Sequence, residues 1–469
     1  MQTMSPLDAS FLHVEDDVSH MHIGSVGIFE GPAPSYDAVL AAVGAKLPLV
    51  PRYRQKVRFL PLDLGRPVWV DDPHFKLEYH VRHTALPTPG GDDELRNLVG
   101  RVMSQPLDRA RPLWEMWIAE GLDADRWALL SKVHHSMVDG VSGTDLMSVL
   151  LDSERDPDAQ PHVAWHAEPE PGSAALLAAA LAGVPYDGAR ALLAAARHPR
   201  RVAGRVADLS RGMVSMRGLL RPGRGTSLNG PIGPHRRWDW ARGRLADVKT
   251  IRQAYGGTVN DVVLAVITRG FRDLLLSRGE PVDGEVVRTM VPVSVRATHE
   301  RGTYNNRVSA MFAELPVGVA DPLERLALVR AQMEDLKESH QAVGGEVLTS
   351  LGGFAPAMLL ALAGRLATRA PQRSVNTVTT NVPGPQHPMY LAGRRMLECF
   401  PFVPLAGHVR VGIAIFSYDG GLNFGATGDN DTAPDIGVLC RGIEQGIQEL
   451  LPSATPQATR RKARPRSSV

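Results

Sequence analysis

The sequence predicts an α/β protein of the layered α+β kind, built as two halves, and three observations carry that expectation. Segments of strand and helix character alternate from about residue 22 to 134 and again from 235 to 452. Between them lies a stretch of different composition, rich in Ala and Arg. The chain has 469 residues, 43% hydrophobic and 22% charged, which is ample for two domains with real cores.

In the first unit, 1–155, residues 22–29 read as a strand and 35–47 as a helix. Residues 77–83 alternate as a strand does. Residues 92–103 read as a helix, because Leu95, Leu98, Val99, Val102 and Met103 recur at helical spacing. Residues 113–122 and 127–134 read as two strands joined in an antiparallel hairpin around Asp123-Ala124-Asp125.

Residues 156–235 read as a connector. It opens with a loop rich in Pro, His and acid, and continues through apolar clusters such as Leu176-Leu177 and Leu192-Leu193. Pro222-Gly223-Arg224-Gly225 punctuates its end. A partly helical hairpin packed on the core is the plain reading; a basic amphipathic face lying on a lipid surface is the other.

In the second unit, 236–452, residues 245–255 read as a helix closed by Gly256-Gly257, and Thr258 caps a long helix to 277. Residues 286–295 and 307–315 read as strands, and 322–338 and 353–367 as helices. Further strands are expected at 374–382, 408–417 and 422–427. A closing helix at 434–451 carries Ile436, Leu439, Ile443, Ile447 and Leu450 on one side. The tail, 453–469, is basic and expected to be flexible.

Composition narrows the function classes. A net charge of +2 does not compel a nucleic-acid partner, and none is expected. Two cysteines, Cys399 and Cys440, imply no disulfide framework and fit a reducing, cytoplasmic setting. The N-terminus lacks a basic segment followed by an apolar core, so it does not read as a secretory signal. No run reaches the roughly 18–20 apolar residues of a spanning helix. The nearest, 174–186, is broken by Gly183 and Pro185. Any contact with a membrane would then be made from its surface.

The stretch His134-His135-Ser136-Met137-Val138-Asp139-Gly140 is the richest in chemistry. It falls where an apolar strand turns into a helix capped by Ser142. Side chains alternate along a strand, so His134 and His135 are expected to face opposite ways. Three readings stand: an inert structural pair, a metal site, or acid–base catalysis with one His taking a proton. Opposed histidines argue against one shared ion, and no His-x-x-x-His or Cys-x-x-Cys supplies further ligands; no metal is expected. There is no Gly-x-Ser-x-Gly elbow, no phosphate-binding loop and no dinucleotide fingerprint.

The HHxxxDG stretch resembles the signature of acyltransferases related to chloramphenicol acetyltransferase and to peptide-synthetase condensation domains. The chain is similar, more specifically, to bacterial wax ester synthase/diacylglycerol acyltransferases. Further blocks match that family in order: Ser5-Pro6-Leu7-Asp8-Ala9, Pro112-Leu113-Trp114, Asn260-Asp261, Val291-Pro292-Val293-Ser294-Val295-Arg296 and Asn381-Val382-Pro383-Gly384-Pro385. The resemblance implies two acetyltransferase-like domains with an active channel between them. It implies transfer of a long-chain acyl group from acyl-CoA, a substrate rather than a cofactor, to diacylglycerol or a fatty alcohol. It also implies His135 as the general base, with His134 facing the packed side.

Asp139 is expected to pair with Arg296 and hold the turn at Gly140 in shape rather than relay protons. Asp261 sits where a capping-box acid would, and the resemblance adds that Asn260-Asp261 supports the site. Pro112-Leu113-Trp114 reads as strand packing. Thr379, Thr380 and Asn381, short polar residues before a turn, are candidate donors to a tetrahedral oxyanion. A peripheral membrane face or lipid-droplet surface is the expected workplace. Two alternatives remain at this point: a condensation-type or polyketide-associated acyltransferase drawing on a carrier protein, and a non-catalytic lipid-droplet-binding protein.

Overall fold

A computed structural model describes residues 2–61, 65–138, 149–157, 165–172, 174–176, 178, 225–294, 308–338 and 374–454. Its strands are β1 (Gln2–Thr3), β2 (His22–Glu30), β3 (Gln55–Arg58), β4 (Val68–Asp71), β5 (Val81–Ala85), β6 (Trp114–Leu122), β7 (Arg126–His134), β8 (Arg236–Arg244), β9 (Val287–Ser294), β10 (Val308–Leu315), β11 (Thr377–Pro383), β12 (Tyr390–Leu391), β13 (Arg394–Phe402), β14 (Val411–Tyr418) and β15 (Gly421–Asp429). The helices are α1 (Pro6–Val14), α2 (Tyr36–Lys46), α3 (Leu77–His80), α4 (Asp92–Ser104), α5 (Leu245–Tyr255), α6 (Val259–Ser277), α7 (Pro322–Glu338) and α8 (Ile436–Ala454).

Two six-stranded sheets organise the described residues, in the orders β12-β13-β2-β7-β6-β5 and β10-β9-β11-β14-β15-β8; β1, β4 and β3 form a small third sheet. The hairpin expected at 113–134 forms as β6 and β7, antiparallel, with Ile118 opposite Leu129. Ala124 and Asp125 adopt positive φ in its turn, the backbone twist that tight hairpins favour. Alternation then divides the first sheet's side chains. Val26, Ile28, Ala128 and Leu130 pack toward α4 with Trp238 and Trp240. Phe29, Trp127, Leu129 and Val133 pack on the other face with Leu12, Val39 and Val43 of α1 and α2.

The second sheet covers one face with helices. Val411, Ile413 and Ile415 share a core with Val262, Val266 and Phe271 of α6 and Leu439 and Ile443 of α8. Thr258 caps α6 as expected: its Oγ1 accepts from the Asp261 amide at 3.3 Å, and Asp261 Oδ2 accepts from the Thr258 amide at 2.7 Å. The opposite face of β14 differs. Phe416 and Tyr418 pack into the first half's core, so the two sheets meet there.

Strand β13 makes that meeting rigid. It follows β11 in the chain yet pairs with β2, Phe400 opposite Val26, so the 236–452 segment completes the sheet of the first half. Glu398 of β13 takes a bidentate contact from Arg242 of β8, at 2.7 and 3.0 Å. Asn423 Nδ2 of β15 donates to the Cys399 carbonyl at 2.9 Å. Sequence reading missed β13, whose charged residues, Arg394, Arg395 and Glu398, blur the alternation.

Residues 77–83 depart from expectation: 77–80 form a turn of helix, and the strand begins at Val81. Its four starting residues, Leu-Glu-Tyr-His, fit one helical turn as well as they fit alternation, and His80 is buried with Nδ1 2.8 Å from the Trp114 carbonyl. Helix α1 and strands β3, β4 and β8 were also missed. The helices expected after the motif and at 353–367, most of the connector 156–235, and the tail beyond 454 lie outside the described residues.

The seam supplies a test. A Cβ added at Gly425 would lie 1.7 Å from the Pro401 carbonyl oxygen, backbone that cannot step aside without parting β13 from β15. Gly425→Ala should lower unfolding stability by at least about 2 kcal/mol, as overpacking does. A wild-type urea midpoint for this variant would contradict the seam.

Candidate active site

Strand β7 ends in His134, and the chain turns at once into a short 3-10 turn, His135–Met137. The neighbouring strand β2 begins at His22, directly opposite His134. Opposite residues of an antiparallel pair share a face, so these two imidazoles meet, with ring centroids 6.0 Å apart. Helix α1 lies across both strand ends. Ser5 caps it, accepting from the Asp8 amide at 3.1 Å, and Pro6 opens it. Its C-cap is Glu15, whose amide donates to the Phe11 carbonyl.

Glu15 gathers the site's buried polar groups. Its carboxylate oxygens lie 3.4 Å from His22 Nε2 and 3.5 Å from His134 Nε2. Arg109 Nη2 donates to Oε2 at 2.6 Å, and the Met21 amide donates to Oε1 at 3.2 Å. Burial pushes the Glu15 pKa up, but His134, His22 and Arg109 outweigh it and hold the carboxyl well below the usual range. His134 is fixed through Nδ1, which accepts from the Ser136 amide at 3.1 Å and lies 2.7 Å from Ser136 Oγ; its Nε2, 3.5 Å from Glu15, makes no hydrogen bond among the described residues. With Nδ1 accepting, Nε2 carries the proton.

His22 is buried, and burial carries its pKa down to about 3 against the pull of Glu15. Lys132 shares that face of β7 and is fully buried; its Nζ donates to the Val102 and Gln105 carbonyls at the C-terminal end of α4. Burial lowers the Lys132 pKa to about 8.

His135 has different surroundings. Its ring stacks on Phe11 of α1, centroids 4.0 Å apart and planes 26° apart. Its amide donates to the Met21 carbonyl at 2.8 Å. Nδ1 is buried with no hydrogen-bond partner among the described residues. Burial lowers the pKa to about 4, against the smaller opposing effect of its own carbonyl. At neutral pH the ring is an uncharged imidazole, able to accept a proton. The paired histidines thus have separate neighbours: a carboxylate for His134, an aromatic ring for His135.

The other expected site residues fall into two groups. Asn381 Nδ2 donates to Asn260 Oδ1 at 3.3 Å, which joins the end of β11 to the first turn of α6 beside the buried capping acid Asp261. Thr379 faces the same helix layer, buried, at 2.8 Å from Thr289 Oγ1. Thr380 points the other way. It shares a face with Val382, which packs with Val138 against the first half's core. Asp139, Gly140 and Arg296 lie outside the described residues. Among the described residues no group of three His, Cys, Asp or Glu is arranged to hold a metal ion.

Sequence reasoning missed Phe11, Glu15, His22, Lys132 and Arg109. Two signals were present: His20-Met21-His22 leading into a strand, and a lone lysine inside the apolar run 127–133.

The depressed pKa values set a pH dependence. Between pH 6.5 and about 4, the unfolded chain takes up protons at the ordinary histidine value, whereas folded His135 and His22 do not. The unfolded state therefore binds more protons, and stability falls as pH falls through that window. Below 4.5 the lowered Glu15 pKa adds a further loss in the same direction. Thermal melts should show Tm dropping steadily from pH 7 to 4, with the loss below 4.5 reduced in Glu15→Gln. A flat Tm over this range would contradict the assigned burial.

Comparison with known proteins shows the chain's family. The wax ester synthase/diacylglycerol acyltransferase catalytic domain matches residues 4–263, and the family's C-terminal domain matches 304–451. A Mycobacterium tuberculosis protein named probable diacylglycerol O-acyltransferase tgs1 is 38% identical over 465 residues, 98% of each chain. The solved wax ester synthase/diacylglycerol acyltransferase of Marinobacter aquaeolei VT8 is 28% identical with a TM-score of 0.68, covering 97% of this chain and 100% of that one. The first condensation domain of the CDA synthetase shares the fold alone, at 17% identity and a TM-score of 0.58 over 97% of both chains. The two-domain acetyltransferase-like architecture implied by the motifs is therefore the one observed. The chain belongs to the wax ester synthase/diacylglycerol acyltransferase family, and it is an acyltransferase.

Proposed function

We propose that the protein transfers a long-chain acyl group from acyl-CoA to the hydroxyl of diacylglycerol, and also to that of a fatty alcohol, with His135 as the general base. The observation that carries this reading is the state of His135: an imidazole neutral at pH 7, half-buried, at a strand end where the two halves adjoin. The names of the relatives at this level of identity support the lipid substrates.

The chemistry follows from these groups. With Nδ1 turned into the protein, Nε2 of His135 takes the proton of the acceptor hydroxyl as its oxygen attacks the thioester carbonyl carbon. The carbonyl π electrons move onto oxygen, giving a tetrahedral oxyanion. Thr380, on the face toward the first half, is our candidate to donate to it; Thr379, engaged with Thr289, is not. The oxyanion then collapses, the carbon–sulfur bond breaks, and the imidazolium returns its proton to the CoA thiolate. Asp139 and Arg296 remain our proposed pair for holding the turn at Gly140. Donor and acceptor approach the base together in the channel between the halves, which supplies the proximity that two dilute lipids need.

Among the described residues no helix is long and apolar enough to cross a membrane. We place the work at the surface of a membrane or lipid droplet, on the cytoplasmic side.

Purified protein given palmitoyl-CoA and diacylglycerol should release free thiol in step with ester formation, and hexadecanol should also serve as acceptor. His135→Ala should lower turnover by about two to four orders of magnitude with the fold retained. Acyl-CoA alone should release almost no thiol. Wild-type turnover in His135→Ala, or a stoichiometric thiol burst with an acyl adduct on the protein, would overturn the mechanism.

A further inference from the structure

The block Ser5-Pro6-Leu7-Asp8-Ala9 stands out in the sequence but takes no part in the chemistry above. Its structural effect is local. It starts α1, and α1 carries Phe11 and Glu15 four residues apart, hence on one side of the helix. Glu15 reaches His134, and Phe11 reaches His135. A single helix therefore touches both histidines of the motif.

The two contacts differ in kind. In acid–base sites of the serine-triad type, a carboxylate at Nδ1 fixes the plane of the basic imidazole. Here the carboxylate serves the neighbouring His134. His135 Nδ1 has no hydrogen-bond partner among the described residues. Rotation of an imidazole about its terminal torsion is broad unless something limits it. The backbone of His135 is anchored, since its amide donates to Met21, whose own amide donates to Glu15. The ring also feels its own carbonyl, which favours its protonated form. Among the described residues the ring stacked on the imidazole plane is that of Phe11, at 4.0 Å and 26°.

We propose that Phe11 is a positioning residue for the acyl transfer: its stacked ring holds the His135 imidazole plane in line with the acceptor hydroxyl and shields it from water. The proposal rests on His135 being the base. Phe11 touches the imidazole and has no proton to give. Its substitution should therefore change how often the base is aligned, not how tightly the substrates bind.

The test uses the full chain in the acyl-transfer assay, with His135→Ala run beside each Phe11 variant. Phe11→Leu keeps apolar bulk and loses the flat face. It should lower kcat by about tenfold or more, with KM within about threefold. Phe11→Tyr, which keeps the ring, should restore kcat to within about threefold. Phe11→Ala opens the site, so the acid limb of kcat/KM should move up from about pH 4 toward the ordinary histidine value, 6.5. The titratable and charged groups nearby, Glu15, His20, His22, His134, Lys132 and Arg109, remain in every variant.

An inactive His135→Ala beside a Phe11→Leu of wild-type kcat would overturn this proposal and leave the base standing. An active His135→Ala would overturn the base itself. A rise in KM at unchanged kcat would overturn positioning and make Phe11 a substrate contact. Loss of fold in both Phe11→Leu and Phe11→Ala would also overturn it, by showing that the ring serves only the core.

Discussion

The ionised carboxylate of Glu15, enclosed by His22, His134, Arg109 and the Met21 amide, is the interaction on which the site's geometry depends. Taking a carboxylate out of water costs several kcal/mol, and only a full set of donors offsets that. These groups come from three parts of the first half: the start of β2, where Met21 and His22 lie, the end of β7, and the loop after α4. Glu15 itself closes α1. One charge thus ties four segments to a common point.

That arrangement separates the paired histidines chemically. His134 is bonded through Nδ1 to Ser136 and lies beside the Glu15 carboxylate. His135 has a stacked ring on one side and no carboxylate of its own, so burial is the largest influence on its protonation. An unpartnered buried nitrogen is unfavourable to the fold. The backbone bond to Met21 and the seam of β13 against β15 hold the region together despite it.

Local patterns in the sequence were legible where they did not need a distant partner. The hairpin of β6 and β7 showed in two largely apolar runs around Asp123-Ala124-Asp125, and the capping box at Thr258 and Asp261 showed in its spacing. What failed to show depends on contacts remote in sequence. Strand β13 pairs with residues some 370 positions earlier, and no local signal carries that. Glu15 looks like any helix-end acid until β2 and β7 close around it. Thr379 and Thr380 looked alike as oxyanion donors, because which one faces the helix layer is decided by the register of β11 with β14. The HHxxxDG resemblance named the reaction, while the groups that orient His135 came only from the packing of α1.

The account stands on His135 being a neutral, desolvated imidazole while its neighbour is tied to a carboxylate. Ring-nitrogen NMR of isotopically labelled histidine measures this directly, with His134→Gln and His135→Gln variants to assign the signals. The account predicts that the His135 resonance stays that of a neutral ring down to about pH 4. A His135 signal that titrates near the ordinary 6.5 would contradict it.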